Sequence, residues 1–374
     1  MTGKISITDR LMIFLSKIFI RLFRTAASYQ FFETLLNHFP KQALLVGGKF
    51  AMKSFDNSFD GQPTQGNVAL VTQSGALKII LLNMMAREGI GLSTFFLCDA
   101  MDSKSFDETD YLAKLSEDSE TRVILFCIEN INRGRKFMDV ARKITESKPI
   151  IVLKSGKSKA GAKAVLSHTG SLAGDEKIYD SAFKQSHVLR AQTIEEMLDF
   201  AKALAFQPRT RGCKVAIITN GGGAGIMAAD ACSSAGLEVI DLPQVVHDPL
   251  GRRVQNFFGI HNPIDLKYSA TAETYSKAMQ FLLACISIDI IILMVYPSPA
   301  LDVNDFVDKI AVLCQKSTKS LIVSANGSET FIKLLGRLEE FGIPLYLLPE
   351  RAVNGAKALA YYGQFAERAR ISYG

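Results

Sequence analysis

The amino-acid sequence predicts an α/β protein, with two doubly wound parallel-sheet domains preceded by a short N-terminal segment. Three observations predict this fold class. From Gly66 onward, short runs of β-branched residues alternate with stretches of helical periodicity. After the segment 206–212 the same order starts again, and both halves open with a small-residue turn between a strand and a helix. The predicted domains are residues 1–60, 61–207 and 211–370.

The first half contains four strand-like runs, which begin at Asn67, Leu92, Thr121 and Lys148. Helical stretches separate them, including the one that follows Gly75, and a further helix is predicted from Glu195 to Ala205. Strands that alternate with helices indicate βαβ units and a parallel sheet. The next segment, FQPRTRG at 206–212, has the proline and the charges of a linker.

The second half repeats this alternation, with strand-like runs that begin at Lys214, Leu237, Ile288, Ser320 and Ile343. The repeat predicts a second doubly wound domain. Between two of its strands lies Asn262-Pro263-Ile264-Asp265-Leu266. We interpret this segment as structural, either capping a helix or supporting the second small-residue turn.

Composition excludes several classes of protein. The 374 residues are 48% hydrophobic and 21% charged, which is typical of a folded globular protein and not of a disordered or fibrous one. The net charge is +6, and the first 60 residues supply most of it with eight basic and four acidic side chains. The remaining excess is too small for a nucleic-acid-binding surface. We therefore expect no nucleic-acid partner, and a small anion as the acidic ligand.

Cysteine spacing and hydropathy indicate the cellular compartment. The six cysteines are scattered, without a Cys-x-x-Cys pair or a neighbouring histidine cluster. This pattern predicts neither a disulfide framework nor a metal site. No apolar stretch reaches the roughly 20 residues that cross a bilayer. The expected location is the cytoplasm, and a membrane partner is not expected.

The N-terminal segment contains a candidate cationic amphipathic helix at 11–23 (LMIFLSKIFIRLF), in which Lys17 and Arg21 interrupt an apolar run. The absence of a small-residue cleavage site argues against a secretory signal. Three roles stay open: association with a membrane surface, organelle targeting, and packing against the rest of the protein. Packing is favoured, because scattered Lys and Arg commonly form the solvated edge of a packed helix.

The two small-residue turns are candidate phosphate-binding sites. A turn without bulky side chains lets an anion approach the backbone, and the N–H groups and dipole of the following helix favour negative charge. For either turn alone, tight strand-helix packing is the favoured explanation, but the repetition of the turn favours phosphate. Neither turn has a dinucleotide-binding fingerprint. The candidate phosphate-binding residues are Gln73, Ser74 and Gly75 in the first turn and Gly222, Gly223, Ala224 and Gly225 in the second.

A lysine-rich loop is predicted between the halves, from Lys154 to Lys163, followed by His168 among hydroxyls and glycines. Its spacing does not match a P-loop, because Ala162 stands where the P-loop lysine would follow Gly161. The lysines fit either a solvated loop or a positive field for phosphate. Taken alone, a histidine in a loop more often has no special function.

Several motifs in order resemble one known family. They are Val71-Thr72-Gln73-Ser74-Gly75-Ala76, Ile128-Glu129 with Gly134-Arg135, Lys148-Pro149-Ile150, Ser167-His168-Thr169-Gly170-Ser171-Leu172-Ala173-Gly174, Thr219-Asn220 with its glycines, Asn262-Pro263-Ile264-Asp265-Leu266, and Gly342-Ile343-Pro344-Leu345-Tyr346. The sequence from about Phe59 to Phe365 thereby resembles the NDP-forming acyl-CoA synthetases, of the ADP-forming acetate–CoA ligase type related to succinyl-CoA synthetase. The histidine string is the most specific of these motifs.

The resemblance implies a fold and a mechanism. The two domains would be flavodoxin-like, as in succinyl-CoA synthetase. His168 would be the phosphorylated histidine, since an imidazole nitrogen is a nucleophile that forms a reactive phosphoramidate. Glu129 would hold the other ring nitrogen. The helices that begin at the two glycine turns would direct their N-termini at the phosphohistidine.

The resemblance also implies substrates and a partner. Acyl-CoA and phosphate would give acyl phosphate and CoA, and the phosphoryl group would pass through the histidine to ADP. ADP or ATP, with Mg, would bind an ATP-grasp β-type subunit, and no tightly bound cofactor is implied. Residues 1–60 would hold only a remnant of the family's CoA-binding domain, at Val46-Gly47-Gly48-Lys49.

This chain departs from the family pattern at three places. Cys98-Asp99 replaces the usual Gly-Asn, Cys127 replaces an aromatic residue before Glu129, and His187 stands where glycine is usual. Two further interpretations therefore stay open. One is a non-catalytic regulatory or scaffold descendant that keeps the phosphate-binding core. The other is an incomplete reading frame.

Overall fold

A computed structural model of the chain describes residues 63–98, 107–169, 174–242, 261–315 and 317–373. Within these ranges, the side chains of 168–169 and 365–373 lie outside the description. The predicted N-terminal amphipathic helix and the sequence Val46-Gly47-Gly48-Lys49 also lie outside the described residues.

The first half of the described chain builds one parallel sheet. Its elements are β1 (Gln65–Thr72), α1 (Gly75–Arg87), β2 (Leu92–Leu97), α2 (Glu108–Glu117), β3 (Val123–Ile128), α3 (Gly134–Thr145), β4 (Ile150–Lys154), α4 (Lys159–Thr169), α5 (Glu176–Gln185), β5 (Leu189–Ala191) and α6 (Ile194–Phe206). The strands lie in the order β2-β1-β3-β4-β5 and all pairs are parallel. β3 and β4 are buried along their whole length, as expected for a parallel sheet covered by helices on both faces.

The second half builds another parallel sheet. Its elements are β6 (Lys214–Thr219), α7 (Gly222–Ser234), β7 (Glu238–Val239), β8 (Ile264–Asp265), α8 (Ala272–Ala284), β9 (Ile290–Val295), α9 (Val303–Gln315), β10 (Ser320–Ala325), α10 (Glu329–Gly336), a 3₁₀ helix (Arg337–Phe341), β11 (Leu345–Tyr346) and α11 (Pro349–Tyr373). The order is β11-β10-β9-β6-β7, and β8 pairs with β6. Two parallel-sheet α/β units confirm the predicted fold class.

The last helix, α11, is hydrogen-bonded to a strand of the first sheet. The hydroxyl of Tyr362 donates to the carbonyl of Ile150 at 2.7 Å and accepts from its N–H at 2.9 Å. On α6, the ammonium of Lys202 donates to the carbonyl of Leu345 at 2.8 Å and lies 2.6 Å from Glu339 Oε1. Because these groups are buried, the contacts between the halves are specific hydrogen bonds and ion pairs as well as apolar packing.

The segment around the lysine-rich sequence differs from the prediction. Residues Lys159–Thr169, predicted as loop, form the helix α4. The hydroxyl of Ser158 accepts from the N–H of Gly161 at 3.0 Å, and its carbonyl accepts from the N–H of Ala162 at 2.8 Å, so the helix has a capped start. Alanine and lysine also have high helix propensity. The prediction of a solvated loop, which was based on the four lysines, was therefore wrong from Lys159 onward.

The backbone conformation explains one departure from the family sequence. His187 has a φ of 57°, in the left-handed region where glycine is favoured. Histidine is among the non-glycine residues that adopt this region more often than most. The position therefore accepts histidine at a conformational cost that glycine does not have.

The helices give no candidate for a membrane span. At 25 residues, α11 would be long enough. Charged side chains along it make it too polar, and no helix among the described residues is both long and apolar enough to cross a membrane.

Candidate functional site

The candidate site lies at the carboxyl edge of the first sheet, where β1, β3 and β4 end side by side. Gln73 follows β1, Glu129 follows β3, and Lys154 is the last residue of β4. Backbone hydrogen bonds between these strands continue one residue past the strand ends. The N–H of Gln73 donates to the carbonyl of Cys127, and the N–H of Ser155 donates to the carbonyl of Ile128. The carboxyl edge is where open α/β sheets bind their ligands.

The side chain of Gln73 holds the loop that follows β3. Its Oε1 accepts from the backbone N–H of Glu129 at 2.6 Å and of Asn130 at 3.2 Å. Its Nε2 donates to the carbonyl of Asn130 at 2.9 Å and to Glu108 Oε1 at 2.5 Å. Because these bonds occupy both ends of the amide, Gln73 positions Glu129 and is not a free side-chain ligand for phosphate.

Glu129 presents an unsatisfied carboxylate at this edge. The residue is 9% exposed, and its Oε2 is buried without a hydrogen-bond partner among the described residues. A buried carboxylate oxygen normally accepts at least one hydrogen bond. The vacant oxygen can therefore accept an N–H from a group outside the described side chains, such as an imidazole.

Glu108 is a second buried carboxylate beside the same loop. It lies at the start of α2, is almost fully buried, and accepts from Gln73. Burial raises the pKa of Glu108, and the neighbouring Asp107 acts in the same direction. Glu108 lies outside the motifs that carry the family resemblance, so the sequence did not point to it.

Lys154 is buried at the end of the neighbouring strand. Its ammonium donates to the carbonyl of Ser155 and lies 4.7 Å from the ring centroid of Tyr179. The hydroxyl of Tyr179 donates to Asn130 Oδ1 at 2.8 Å and accepts from the N–H of Ile131 at 3.1 Å. Tyr179 thus joins the lysine to the loop that carries Glu129.

The histidine string is only partly described. Ser167 and His168 belong to the last turn of α4, and the imidazole of His168 lies outside the described side chains. The string ends at Gly174, which has a φ of 70°. A β-carbon at Gly174 would lie 2.7 Å from Cε2 of Tyr179, so the backbone of Gly174 lies against that ring. The end of the string therefore contacts the same tyrosine as Lys154.

The first glycine turn presents an open helix N-terminus. Ser74 caps α1, its hydroxyl accepting from the N–H of Leu77 at 3.3 Å. A β-carbon at Gly75 would have no atom of the described residues within 4 Å, and the first turn carries no acidic side chain. The first N–H groups of a helix have no intrahelical acceptor. This end of α1 is accessible to an anion.

The second glycine turn combines packing with access. A β-carbon at Gly225 would lie 2.9 Å from Thr219 Cγ2, so this glycine is required for close packing. Gly223 faces open space, whereas Gly222 lies near Asp265, where a β-carbon would be 3.0 Å from Oδ2. Lys267 donates to Asp265 and holds the pKa of that carboxyl below its usual value, although partial burial acts in the opposite direction. Ala224 occupies the same first turn of α7.

The two turns are built in the same way. At each strand end a buried threonine hydroxyl accepts from the N–H two residues later, Thr72 from Ser74 at 3.1 Å and Thr219 from Gly221 at 2.9 Å. The intervening amide side chain bonds the backbone after the neighbouring strand. Gln73 bonds the segment after β3, and Asn220 bonds Tyr296 through both amide ends, at 2.8 and 2.9 Å. The repeat seen in the sequence is therefore a repeat of hydrogen-bonding geometry.

The described residues offer no metal centre of their own. No group of three or more His, Cys, Asp or Glu side chains in these parts of the chain is arranged to hold a metal ion. At the first edge, the ammonium of Lys154 and the N–H groups at the start of α1 are the donors that suit a bound anion, whereas Glu108 and Glu129 are acceptors.

Two family descriptions match the chain. Residues 65–204 match the succinyl-CoA ligase like flavodoxin domain, and residues 215–346 match the Ligase-CoA domain. Acetyl-coenzyme A synthetase 1 of Ca. Korarchaeum cryptofilum, described as dinucleotide forming and solved with phosphate and ADP, has 32% identity and a TM-score of 0.76. The match covers 83% of this chain and 68% of that one. The chain belongs to the NDP-forming acyl-CoA synthetase family.

Curated relatives in this family agree. The alpha subunit of ADP-forming acetate–CoA ligase I from Pyrococcus furiosus is 39% identical over 79% of this chain and 63% of its own length. The ADP-forming 4-hydroxybutyrate–CoA ligase of Nitrosopumilus maritimus is 30% identical over 82% of this chain and 44% of its own. The chain thus spans less than two thirds of the length of these family members.

The sequence singled out Gln73, Glu129 and the two glycine turns as candidate site residues, and the structure brings Gln73 and Glu129 into direct hydrogen-bond contact. It missed Tyr179, Glu108 and the contribution of Lys154. A usable signal existed for Lys154 alone, because a lysine ended a run of apolar strand residues (IIVLK). A charged residue at the end of a buried strand is a candidate for the carboxyl-edge site.

Proposed function

We propose that this chain is the α-type, phosphohistidine-bearing part of an ADP-forming acyl-CoA synthetase. Residues 61–207 would form the domain of the histidine, and 211–370 the second domain. The observation that carries the proposal is the buried Oε2 of Glu129, which has no hydrogen-bond partner among the described side chains. Gln73 binds the backbone of the loop that carries this oxygen, and Tyr179 binds the same loop through Asn130. The end of the histidine string, at Gly174, lies against the ring of Tyr179.

In the proposed relay, each step transfers one group. A phosphate oxygen attacks the thioester carbonyl of acyl-CoA, and the CoA thiolate leaves. An imidazole nitrogen of His168 then attacks the phosphorus of the acyl phosphate, and the carboxylate leaves. The phosphoryl group finally passes from the histidine to ADP, giving ATP. The chain itself supplies positioning and charge stabilisation.

Each proposed site residue has one task in this relay. Glu129 accepts the N–H of the other imidazole nitrogen and so fixes the tautomer. Gln73 and Ser74 position that carboxylate and the start of α1. The N–H groups near Gly75, and those near Gly222, Gly223 and Ala224, stabilise the charge of the phosphoryl group. Gly225 allows α7 to approach its strand closely.

The remaining components would be supplied by substrates and a partner. Acyl-CoA and inorganic phosphate would be substrates of the complete enzyme. ADP or ATP with Mg would bind an ATP-grasp β-type subunit. The cytoplasm, where these metabolites are found, is the proposed location.

The proposal is tested by phosphoryl labelling of the purified chain in two ways. In one, labelled ATP and Mg are supplied with an ATP-grasp subunit of the same family, after assembly has been confirmed. In the other, labelled acetyl phosphate is supplied to the chain alone, which needs neither nucleotide nor CoA. We expect an acid-labile, base-stable label in the peptide that contains Ser167–Gly174. No label with either donor would contradict the proposal and favour a regulatory or scaffold protein.

Glu129→Gln is expected to slow labelling by about 10²- to 10⁴-fold with little loss of folding stability, the range for groups that orient or assist a working histidine. The amide keeps the size of the side chain but loses the negative charge that stabilises the imidazolium character of the histidine. Initial labelling rates measure the effect. Glu117→Gln, a change of the same kind at an exposed glutamate of α2, is the control. Equal rates in the two variants would exclude a role for the carboxylate.

A further inference from the structure

The ammonium of Lys154 has no carboxylate partner among the residues that the structure describes. Lys154 is 1% exposed, and its close polar contacts are the carbonyl of Ser155 and the face of the Tyr179 ring. No carboxylate of the described residues lies within 4 Å of its Nζ. A buried ammonium without a paired anion is costly, because neither a carbonyl nor an aromatic face replaces the water it has lost.

The other buried cations of the described chain are compensated. Lys202 Nζ lies 2.6 Å from Glu339 Oε1. Arg351 pairs with Asp199 at 2.7 Å and with Glu88 at 3.0 Å. The absence of such a partner is therefore particular to Lys154 among the buried Lys and Arg residues described.

The position of Lys154 indicates where its missing anion belongs. Lys154 pairs in register with Ile128, the residue before Glu129. Its ammonium lies over Tyr179, and the end of the histidine string lies against the same ring. The uncompensated charge is thus at the carboxyl edge, between the proposed orienting carboxylate and the segment of the proposed phosphohistidine.

Donor capacity and charge both suit a phosphoryl group. An ammonium has three N–H donors, of which the carbonyl of Ser155 uses one. A phosphoryl group carries a charge of about −1.5 to −2 at neutral pH and three acceptor oxygens. Burial lowers the pKa of Lys154, and the positive charge of Arg190 lowers it further. The nearby negative charges of Glu176 and Glu129 raise it. An arriving phosphoryl group would act in the same direction as these carboxylates and keep the lysine charged.

We propose that Lys154 is the counter-charge of the phosphoryl group, binding inorganic phosphate and then the group carried on the histidine. This inference rests on the proposed function and adds a phosphate-binding residue to it. In the absence of phosphate the buried charge is a local cost to folding. Phosphate binding removes that cost. The phosphate-free chain is therefore less stable than it would be with an apolar residue at this position, and the relief of this instability contributes to phosphate affinity.

The test compares Lys154→Met with Lys157→Met. Both changes remove one positive charge from the same segment, but Lys157 is exposed and donates to the carbonyl and the side chain of Gln192. For each variant we would measure the affinity for inorganic phosphate by calorimetry and the unfolding temperature without phosphate. Acetate, titrated in parallel, tests whether the site prefers a carboxylate.

We expect Lys154→Met to weaken phosphate binding at least tenfold while its unfolding temperature stays equal or rises. Lys157→Met should change phosphate affinity by less than about twofold, the effect of a screened surface charge. A purely structural lysine would give the opposite pattern, with a lower unfolding temperature and unchanged phosphate affinity. If Lys154→Met does not fold, Lys154→Arg takes its place. We expect this variant to keep the wild-type unfolding temperature but to bind phosphate severalfold more weakly, because the planar guanidinium does not have the shape of a compact ammonium.

The outcomes separate this inference from the proposed function. A wild-type chain that is labelled on the histidine, together with a Lys154→Met variant that binds phosphate normally, would overturn only the role of Lys154. A wild-type chain that binds acetate but not phosphate would also overturn that role. An unlabelled wild-type chain whose phosphate affinity still depends on Lys154 would contradict the relay but keep the phosphate site.

Discussion

Replacing His168 by alanine is expected to abolish acid-labile labelling and all net conversion of acyl-CoA and ADP to ATP. The alanine removes the only nucleophile that the protein supplies in the proposed relay. The loss should be complete within the detection limit, because transfer through the histidine has no alternative acceptor of comparable nucleophilicity. Labelling with acetyl phosphate and ATP formation by the complex with the partner subunit measure the effect.

The matched control for this change is His261→Ala. His261 is exposed and lies in the second half of the chain, so its loss should leave labelling unchanged. Both variants should unfold at the wild-type temperature within a few degrees. Residual acid-labile label in His168→Ala would assign the phosphoryl group to another residue, and label lost equally from both variants would indicate a non-specific effect.

The second large effect is expected at the buried ion pair between the two halves. Asp199, fully buried on α6, accepts from Arg351 Nε at 2.8 Å and from Asn354 Nδ2 at 3.0 Å. Arg351 also pairs with Glu88, at the end of α1. Burial raises the pKa of Asp199 to about 6, although Arg351 and Asn354 act in the opposite direction. The arginine is therefore needed to keep a buried carboxylate ionised.

Arg351→Met is expected to lower the free energy of unfolding by about 3–5 kcal/mol at pH 8, because it leaves the charge of Asp199 buried and unpaired. Without the arginine the pKa of Asp199 rises above 6, while its unfolded-state value stays near 3.9. A folded-state pKa above the unfolded value means that stability is lost as the pH rises from about 4 through the folded-state pKa. The variant should therefore be less destabilised at pH 5 than at pH 8.

Urea unfolding at the two pH values measures this prediction, with Lys357→Met as the control. Lys357 lies on the same helix and pairs with Glu196 at 3.0 Å, but its side chain is 37% exposed. A partly exposed pair contributes about 0–1 kcal/mol. A loss in Arg351→Met that is no greater than in Lys357→Met, or is greater at pH 5, would show that Asp199 does not depend on this arginine.

The alternation of strand and helix was readable from the sequence because parallel strands covered on both faces are continuous apolar runs. The predicted strands at Thr121 and Lys148 correspond to β3 and β4. The strands predicted at Leu237 and Ile343 are only two residues long, β7 and β11. Both lie at edges of the second sheet, where the ladder has one neighbour and pairing ends early.

The site was partly predictable. The sequence singled out Gln73 in a strand-to-helix turn and Glu129 as a candidate site residue. Carboxyl ends of neighbouring parallel strands meet at one edge, and the structure brings these two residues together there. The pairing of Gln73 with the Glu129 loop was not predictable. It depends on the register of β1 against β3, where Thr72 lies opposite Cys127, and no local pattern encodes that register.

The sequence by itself determined the family, the two parallel-sheet units, the repeated glycine turns and the histidine string, because each depends on residues close together in the chain. The tertiary structure decided which of these residues meet. It brought the amide of Gln73 into contact with the loop of Glu129. In the described part of the chain, it buried Oε2 of Glu129 without a hydrogen-bond partner and the ammonium of Lys154 without a carboxylate partner. Such features depend on which charges are brought together and which lose their water, and this is fixed only when distant segments pack.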